Sequence, residues 1–151
     1  MKYDYFVGGR WRNHEAVREI LTAIRAAGKS AYCFIDNEYD SDGIRFEKTP
    51  TDIEKLMQNI ETIEDWQSNP TFKQIFENDM NGIRDAKETI IVFPAGLSAH
   101  MELGAAYGMG KKCYGIGKPE KHETLYLMFD EIYADIESFI DARVATAGAA
   151  K

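Results

Sequence analysis

The sequence predicts an α/β protein built on a parallel sheet of about five strands with helices on both faces. Short apolar or β-branched segments alternate with segments of helical period, which is typical of parallel strands joined by right-handed crossovers. Residues 88–93 end in an almost wholly apolar run, as expected for a strand that is covered on both faces. The chain has 151 residues, enough for one core, so we predict a single domain over residues 1–145 and a flexible tail over residues 146–151.

The first third of the chain predicts a strand, a helix, a second strand and a loop. Residues 3–7 are aromatic and β-branched and end at a glycine pair, which indicates a strand that leads into a helix. Asn13 can cap this helix and Gly28 can end it, and its apolar positions have helical spacing: Val17, Ile20, Leu21 and Ile24. Residues 31–35 predict the second strand. Residues 36–49 have no sustained period and predict a loop at its carboxyl end.

The rest of the chain continues the alternation. Thr51 and Glu54 form a capping-box pair, Pro70 suits the first position of a helix, and Ser98 can cap another. The predicted elements are helices at 52–66, 70–84 and 98–109, strands at 88–93, 112–116 and 131–134, a short helix near 124–129 and a closing helix at 136–144.

Composition narrows the class of partner. The chain has 18 Lys and Arg against 25 Asp and Glu, and a net charge of −7 works against binding a nucleic-acid backbone. No apolar run is long enough to span a bilayer and the N-terminus does not have the pattern of a signal peptide, so we expect no membrane partner and a cytoplasmic location. Cys33 and Cys113 have no CxxC spacing, so we expect buried thiols and no metal site. A small-molecule ligand fits these features best.

The predicted sheet also indicates where that ligand binds. In open parallel sheets, ligands bind beyond the carboxyl ends of the strands, at the point where strand order reverses. Three segments end there: residues 8–13, residues 37–45, which begin with Asn37, and residues 94–102. Polar groups in these segments are therefore candidates for binding the substrate.

Asp79 is the first candidate for chemistry. It lies three residues after Phe76 and four after Ile75, so helical geometry places its carboxylate on or beside an apolar stripe. A carboxylate near a core needs a partner or a function, and a raised pKa that lets it carry a proton is one such function. The alternative is that Asp79 lies at the edge of the stripe and bonds to a tyrosine or a backbone amide.

Glu102 is the second candidate. It follows closely on the break at Gly96, and we place it in the first turn of a helix, where free amides and the helix dipole favour an ionised carboxylate. An ionised carboxylate at the mouth of a parallel sheet can attack an electron-poor sugar carbon, as in retaining glycoside hydrolysis. The alternative is a glutamate that only complements the helix dipole.

Other polar groups near this edge carry weaker signals. The turn after the first strand brings backbone amides, two arginines and an indole together, which suits a phosphate or a flat base: Gly8, Gly9, Arg10, Trp11 and Arg12. Trp11 could equally cover the core. His100 adjoins the region of Glu102, but a lone histidine on a helix is more often a surface or interface residue.

Several segments, in order along most of the chain, resemble the nucleoside 2-deoxyribosyltransferase family. They are YFVGGRW, DNEYDSDGIRFEKTP, NDMNGI, MELGAAYGMGK and the LM pair at 127–128. The resemblance implies a flavodoxin-like fold and a homo-oligomer in which Met128 reaches into a neighbouring subunit's site. It also implies that Glu102 is the nucleophile, that Asp79 binds the sugar or handles protons, and that Tyr5 positions the nucleophile.

Three positions before the nucleophile depart from the family pattern. Family transferases usually carry an Asp six residues before the nucleophile to hold the base, whereas this chain has Gly96, and Ser98 and His100 occupy positions of small glycines. Ser98 is a candidate for binding a sugar hydroxyl or a phosphate. Related nucleotide N-hydrolases use a serine and an arginine-bearing first loop for the 5′-phosphate, which makes Arg10 and Arg12 candidates for that role.

We therefore predict an enzyme without a cofactor that cleaves the N-glycosidic bond of a (deoxy)nucleoside or a nucleoside 5′-monophosphate. The predicted reaction passes through a covalent glycosyl ester of Glu102, which is transferred to another base or to water. Two alternatives stay open. One is a nucleotide-binding or sensing module, favoured by Gly96 and His100, and the other is an oligomeric α/β protein in which the helix around Glu102 is only an interface.

Overall fold

A computed structural model of the chain describes residues 1–41, 44–46 and 52–145. The strands in this part are β1 (Tyr3–Gly8), β2 (Ala31–Cys33), β3 (Tyr39–Ser41), β4 (Ile44–Phe46), β5 (Ala86–Val92), β6 (Lys112–Ile116) and β7 (Glu131–Tyr133). The helices are α1 (His14–Ala26), α2 (Ile53–Glu61), α3 (Pro70–Asp85), α4 (Leu97–Gly108) and α5 (Ile136–Phe139), which continues as a π-helix over Ile140–Ala145. Short 3₁₀ turns occupy Trp11–Asn13, Phe34–Asp36, Trp66–Ser68 and Thr124–Met128.

Five of the described strands form one sheet, in which every pairing is parallel and the order is β2-β1-β5-β6-β7. The chain passes from β1, an inner strand, to β2 on one side and later returns to β5 on the other, so strand order reverses between β1 and β5. This is the flavodoxin-like order, with its ligand-binding switch point beyond the carboxyl ends of these two strands. The predicted α/β fold with a five-stranded parallel sheet is confirmed.

Two apolar layers cover the sheet. One layer joins Val7, Ile90 and other buried strand residues to the inner faces of α1 and α5. The other layer joins Phe6, Ile91 and their neighbours to the inner faces of α3 and α4. Because successive strand residues point to opposite faces, the apolar ends of β1 and β5 supply both layers at once.

The segment after α1 differs from the prediction. The second strand is shorter than expected, because β2 ends at Cys33 and the next three residues form a 3₁₀ turn. The predicted loop over residues 36–49 contains the antiparallel hairpin of β3 and β4. Each of these strands has three residues, too few for an alternating apolar pattern to stand out in the sequence. Residues 42–43 and 47–51 lie outside the described part.

Two helix starts also differ from the prediction. Asp52 caps α2 by accepting a hydrogen bond from a backbone amide of the first turn, and the helix ends at Glu61, earlier than expected. Thr51, the predicted partner in a capping box, lies outside the described residues. Gly96 occupies the N-cap of α4, so Ser98 lies within the first turn and does not cap the helix.

The tail predicted for residues 146–151 also lies outside the described part. None of the helices in the described ranges is long and apolar enough to cross a bilayer.

Candidate active site

The turns that follow β1 and β5 meet at the switch point of the sheet. Gly9 allows α1 to approach closely, because a Cβ at this position would lie 2.6 Å from Cγ2 of Val17. Asn13, which we predicted to cap α1, makes no cap hydrogen bond. Its side-chain amide instead donates to the backbone oxygens of Phe93 (3.4 Å) and Pro94 (3.5 Å). The turn after β1 is thereby bonded to the turn after β5, from which α4 begins.

Glu102 lies on the face of α4 that packs against the sheet. Its helical neighbours Ala99, Leu103 and Ala106 are buried in the layer beneath α4, and Glu102 itself is only 7% exposed. Gly8 is the last residue of β1, and a Cβ built on it would lie 3.6 Å from Oε1 of Glu102. The carboxyl group is therefore held at the carboxyl end of β1, which carries no side chain at this point.

Burial raises the pKa of Glu102 well above its ordinary value, and the negative charge of Asp79 raises it further. The expectation that Glu102 lies in the first turn, beside free backbone amides, was wrong. Because α4 begins at Leu97, Glu102 lies in the second turn, beyond the free amides. Burial and the charge of Asp79 therefore both act against ionisation of Glu102.

Asp79, on α3, is a second carboxyl group that is largely withdrawn from solvent. The hydroxyl of Tyr32 on β2 donates to Oδ1 of Asp79 at 2.8 Å, and the side-chain amide of Asn37 donates to the same hydroxyl at 2.9 Å. Burial raises the pKa of Asp79 to about 6, while the hydrogen bond from Tyr32 acts in the opposite direction. The tyrosine partner and the raised pKa, which the sequence left as alternatives, both occur. Asn37, predicted to bind substrate, gives its amide to Tyr32.

The two carboxyl groups form an electrostatically coupled pair without a cation. The charge of Asp79 contributes to the raised pKa of Glu102, so the two groups are close enough to interact. Within the described part of the chain, no basic side chain lies within ion-pair distance of either group. Two carboxyl groups in such surroundings do not both ionise readily.

Tyr5 lies in the opposite layer. Its ring packs edge to face against Phe139 of α5, with ring centroids 5.6 Å apart. Burial raises the pKa of Tyr5 to about 12, and the charges with the largest effect on it belong to Glu88 and Arg143. The resemblance implied that Tyr5 positions the nucleophile, but the structure does not bring it to Glu102, because its position in β1 points it toward α5 and away from α4.

Two residues of the turn after β1, Arg12 and Trp11, contact other parts of the chain. Nε and Nη1 of Arg12 form ion pairs with Glu54 (2.9 Å) and Glu61 (3.0 Å), so this guanidinium is bound to α2. Trp11 packs edge to face against Phe34, with ring centroids 5.2 Å apart, and lies against the apolar layer beneath α1. This agrees with the alternative that Trp11 covers the core. The predicted role of Arg12 in binding phosphate is therefore not supported by its partners in this structure.

Arg10 contacts the start of α4. A Cβ built on Gly96 would lie 3.5 Å from both Cβ and Cδ of Arg10, so the arginine stem crosses the N-cap of this helix. Nε of Arg10 is sealed from solvent and has no hydrogen-bond partner. Ser98 lies exposed in the first turn of the same helix. The structure thus places Arg10 against Gly96, two residues before Ser98, and the binding of a ligand by these residues stays a prediction.

His100 connects α4 to the 3₁₀ turn at Thr124–Met128. Its Nδ1 lies 2.7 Å from the backbone oxygen of Gly96 and its Nε2 lies 2.7 Å from the hydroxyl of Tyr126, whose ring stacks on the imidazole. Since a carbonyl only accepts, Nδ1 carries a proton, and a neutral imidazole then accepts from Tyr126 through Nε2. Both ring nitrogens are therefore used in fixing this turn rather than in facing a substrate.

Apolar side chains on α4 and the 3₁₀ turn at Thr124–Met128 are exposed. Leu97 and Met101 are 74% and 64% exposed, and Leu125 and Leu127 are 61% and 88% exposed. Met128, predicted to reach a neighbouring subunit, is half-buried against the layer beneath α4 of its own chain. Exposed apolar groups in one region are typical of an interaction surface.

Sequence reasoning did not single out Tyr32, which is bonded to both Asp79 and Asn37. The signal available was a phenol in a short strand whose end was predicted to face the ligand, but aromatic residues are common in strands. Among the described residues, no group of three His, Cys, Asp or Glu side chains is arranged to hold a metal ion.

Neither a protein-family model nor a curated protein sequence matches the chain. Solved structures that are similar in fold include the following three. The first is a 2-deoxyribosyltransferase from the psychrotolerant bacterium Bacillus psychrosaccharolyticus, with a TM-score of 0.63 and 16% sequence identity over 94% of this chain and 93% of that one.

The second is the TIR domain of the Toll-related receptor TRR-2 from Hydra magnipapillata, with a TM-score of 0.56 and 14% identity over 98% of this chain and 96% of that one. The third is the CMP N-glycosidase BcmB of Clostridium botulinum, with a TM-score of 0.51 and 13% identity over 91% of this chain and 96% of that one. At these identities the likeness shows a shared α/β fold, and activity has to be argued from the site itself.

Proposed function

We propose that this protein cleaves the N-glycosidic bond of a (deoxy)nucleoside or a nucleoside 5′-monophosphate, with Glu102 as the nucleophile. The observation that carries the proposal is the coupled pair of Glu102 and Asp79, two carboxyl groups at the switch point of the sheet that have no cationic partner among the described residues. A buried carboxylate without a counter-charge lowers stability, so its presence favours a catalytic role. Two structures of the same fold, described as a 2-deoxyribosyltransferase and a CMP N-glycosidase, agree with this class of reaction.

The raised pKa values suggest an order for the proton transfers. The pKa of Asp79 is raised to about 6 and that of Glu102 is raised well above its ordinary value, so we infer that Glu102 carries a proton before the substrate binds. We infer that substrate binding moves this proton from Glu102 to Asp79, which leaves an anionic nucleophile. Glu102 then attacks C1′, the electron pair of the C1′–N bond passes to the base, and Asp79 donates its proton to that base.

The second half of the reaction returns both groups to their starting state. A water molecule or a second base attacks C1′, and the ester bond breaks with its electron pair on the carboxylate of Glu102. Asp79, now ionised, accepts the proton of the attacking group and shares it with Glu102. Exclusion of water from the site would favour transfer to a base over hydrolysis.

Arg10, Gly96 and Ser98 form the proposed binding region for a 5′-phosphate. The sealed Nε of Arg10 without a partner, the N-terminus of α4 and the exposed hydroxyl of Ser98 are suited to an anion. Gly96 has no side chain to hold the base, so base recognition by this chain depends on other groups.

We also propose that a second copy of the chain covers the exposed apolar groups of α4 and the 3₁₀ turn and shares in the site. Leu97, Met101 and Leu127 would then be buried between subunits. Met128, which packs on its own chain, adjoins this surface. Sedimentation of the protein as a homo-oligomer, shifted toward monomer by Leu127→Asp, is the expected result.

One observation favours a second candidate, a nucleotide-binding module without turnover. The pKa of Glu102 is raised well above its ordinary value, and a carboxyl group that keeps its proton is a poor nucleophile. If no ligand removes that proton, the same site binds a nucleotide and does not cleave it.

The decisive experiment is incubation with a panel of nucleosides and nucleoside 5′-monophosphates, with and without an acceptor base, analysed by chromatography. Free base without an acceptor indicates a hydrolase, and base exchange only with an acceptor indicates a transferase. Glu102→Gln preserves the shape of the side chain and should lower the rate by on the order of 10³-fold or more. Glu137→Gln, at an exposed glutamate of α5, is the matched control and should retain the parent rate.

The outcomes separate the candidates. Full activity of Glu102→Gln on a substrate of the parent would overturn the proposed nucleophile. Saturable binding of a nucleotide without product supports the binding module. If no substrate turns over and no nucleotide raises the melting temperature, the helix around Glu102 is only an interface.

A further inference from the structure

Tyr32, on β2, makes contacts to which the proposed reaction has so far assigned no role. Its hydroxyl lies between Asn37 Nδ2 at 2.9 Å and Asp79 Oδ1 at 2.8 Å. A hydroxyl group has one proton to donate, and Asn37 donates from its side. The proton of Tyr32 is therefore directed at Asp79, and the order of donors runs from Asn37 through Tyr32 to Asp79.

The ring of Tyr32 is fixed from three sides. Phe6 stacks on it with ring centroids 5.6 Å apart and an interplanar angle of 11°, and Tyr3 meets it edge to face at 5.9 Å. On the third side lies Gly82 of α3, where a Cβ would be only 2.5 Å from Cδ1 of the ring. Gly82 lies three residues after Asp79, so the glycine that admits the ring and the carboxylate that receives its hydrogen bond share one helix face.

We propose that Tyr32, oriented by Asn37, is the positioning residue that holds Asp79 for proton transfer to and from the substrate. The inference rests on the proposed function, because it assigns Tyr32 a role in the same reaction. Tyr32 occupies Oδ1 of Asp79 and leaves Oδ2 to exchange the proton. It also stabilises the ionised form of Asp79, which has to accept the proton of Glu102 before attack can begin.

The groups around Asp79 come from several elements. Tyr32 reaches it from β2, and its charge acts on Glu102 of α4 and on Tyr39 at the start of β3. Tyr39 accepts from Asn78 at 2.8 Å, which fastens the hairpin to α3 beside the carboxylate. Of these groups, Tyr32 is the one that donates a hydrogen bond to Asp79 in the described part of the chain.

Removal of the Tyr32 hydroxyl therefore has a defined electrostatic consequence. Its hydrogen bond lowers the pKa of Asp79 against the opposing effect of burial, so without it the pKa rises above the present value of about 6. At neutral pH less of Asp79 is then ionised and able to accept a proton from Glu102. The acid limb of the pH profile should move to higher pH, and kcat should fall more than KM rises.

The test is titration of Asp79 by carbon NMR of labelled side-chain carboxyl groups in the substrate-free protein. Tyr32→Phe keeps the ring between Phe6 and Gly82, and we expect the pKa of Asp79 to rise by roughly one pH unit. Tyr3→Phe is the matched control, because it removes a hydroxyl from a ring that touches Tyr32 without a hydrogen bond to Asp79. In this control the titration of Asp79 should not change.

Asn37→Ala is a second variant that leaves the ring untouched, and the pKa of Asp79 should move in the same direction by a smaller amount. An Asp79 titration that is the same in Tyr32→Phe and the parent would overturn the positioning role, as would an equal shift in Tyr3→Phe. The measurement needs no substrate, so its failure is distinguishable from failure of the proposed reaction, which the substrate panel tests. On an active substrate, the acid limb in Tyr32→Phe should move by the same amount as the NMR titration.

Discussion

Two tyrosine–carboxylate pairs lie on opposite faces of the sheet. On the face covered by α3 and α4, Tyr32 donates to Asp79. In the amino-terminal half of β5, on the side of α5, Tyr114 donates to Glu88 at 3.0 Å. The second pair includes a cation: the guanidinium of Arg143 donates to the hydroxyl of Tyr114, lies 4.6 Å from the centre of its ring and is 3.9 Å from Glu88.

The two pairs differ in one respect: a cation accompanies Glu88, whereas none in the described part of the chain accompanies Asp79. This difference distinguishes a structural cluster from a candidate catalytic group. Arg143 offsets the charge of Glu88 and joins the C-terminal helix to the sheet. Asp79 has no basic partner in the described part of the chain, so burial outweighs the hydrogen bond and its pKa rises to about 6. A carboxyl group with that pKa can take up and release a proton near neutral pH, which suits general acid–base catalysis.

The largest effect is expected at Asp79. Asp79→Asn keeps an acceptor for Tyr32 but cannot carry a proton, so kcat/KM on an identified substrate should fall by roughly 10²- to 10⁴-fold, measured by base release. The variant should also be more stable than the parent at neutral pH, because it removes a poorly solvated charge. The folded pKa of about 6 lies above the ordinary value of 3.8, so the parent loses stability as pH rises through this interval.

The size of that loss follows from the same two values. It should reach about 3 kcal/mol once Asp79 is fully ionised, and it should vanish below a pH of about 4, where both the folded and unfolded chains are protonated. Urea unfolding of parent and Asp79→Asn across this range measures it. A stability difference that does not vary with pH would contradict the inference that burial of the Asp79 carboxylate lowers the stability of the parent.

A smaller effect is expected at Gly82, which admits the ring of Tyr32. Gly82→Ala places a Cβ against that ring and should lower the free energy of unfolding by about 1–3 kcal/mol. In a Tyr32→Ala background the same change should instead stabilise by about 0.5–1 kcal/mol, because alanine is then the better helix residue. The double-mutant cycle isolates the contact. The same sign in both backgrounds would show that the ring does not require this glycine.

The smallest effect is expected at Glu88. Glu88→Gln leaves Arg143 without its carboxylate and should lower the free energy of unfolding by about 1 kcal/mol, since both groups are partly exposed. Base release should continue at the parent rate, because this cluster lies away from the switch point. A loss of activity with an unchanged melting temperature would show that the pair of Tyr114 and Glu88 is also catalytic, which would contradict the structural role given to it here.

Much of the fold could be predicted from local pattern. Helical spacing from Val17 to Ile24 and the apolar run at the end of β5 are properties of neighbouring residues, and they identified α1 and β5 near their observed bounds. The hairpin of β3 and β4 was missed because each of its strands is three residues long. Such strands depend on pairing with each other more than on a pattern within either of them.

The candidate site was less predictable. Spacing put Asp79 beside an apolar stripe, and the family resemblance selected Glu102. The sequence predicted a glutamate whose charge is stabilised by a helix N-terminus, whereas burial in the structure raises its pKa. Tyr32 was missed because its bond to Asp79 joins residues 47 positions apart. Tyr5 was chosen for its place in a motif, and only the pleat of β1 shows that it faces α5.

The sequence by itself determined the alternation of strands and helices, the apolar faces that join them and the residue types at the carboxyl edge. These follow from backbone geometry and side-chain chemistry, which act between neighbours. Only the tertiary structure decided that Asp79 receives Tyr32 while Glu88 receives an arginine as well. The physical reason is that desolvation and Coulomb energy depend on distances in space, so the pKa of a carboxyl group is set by groups remote in the chain.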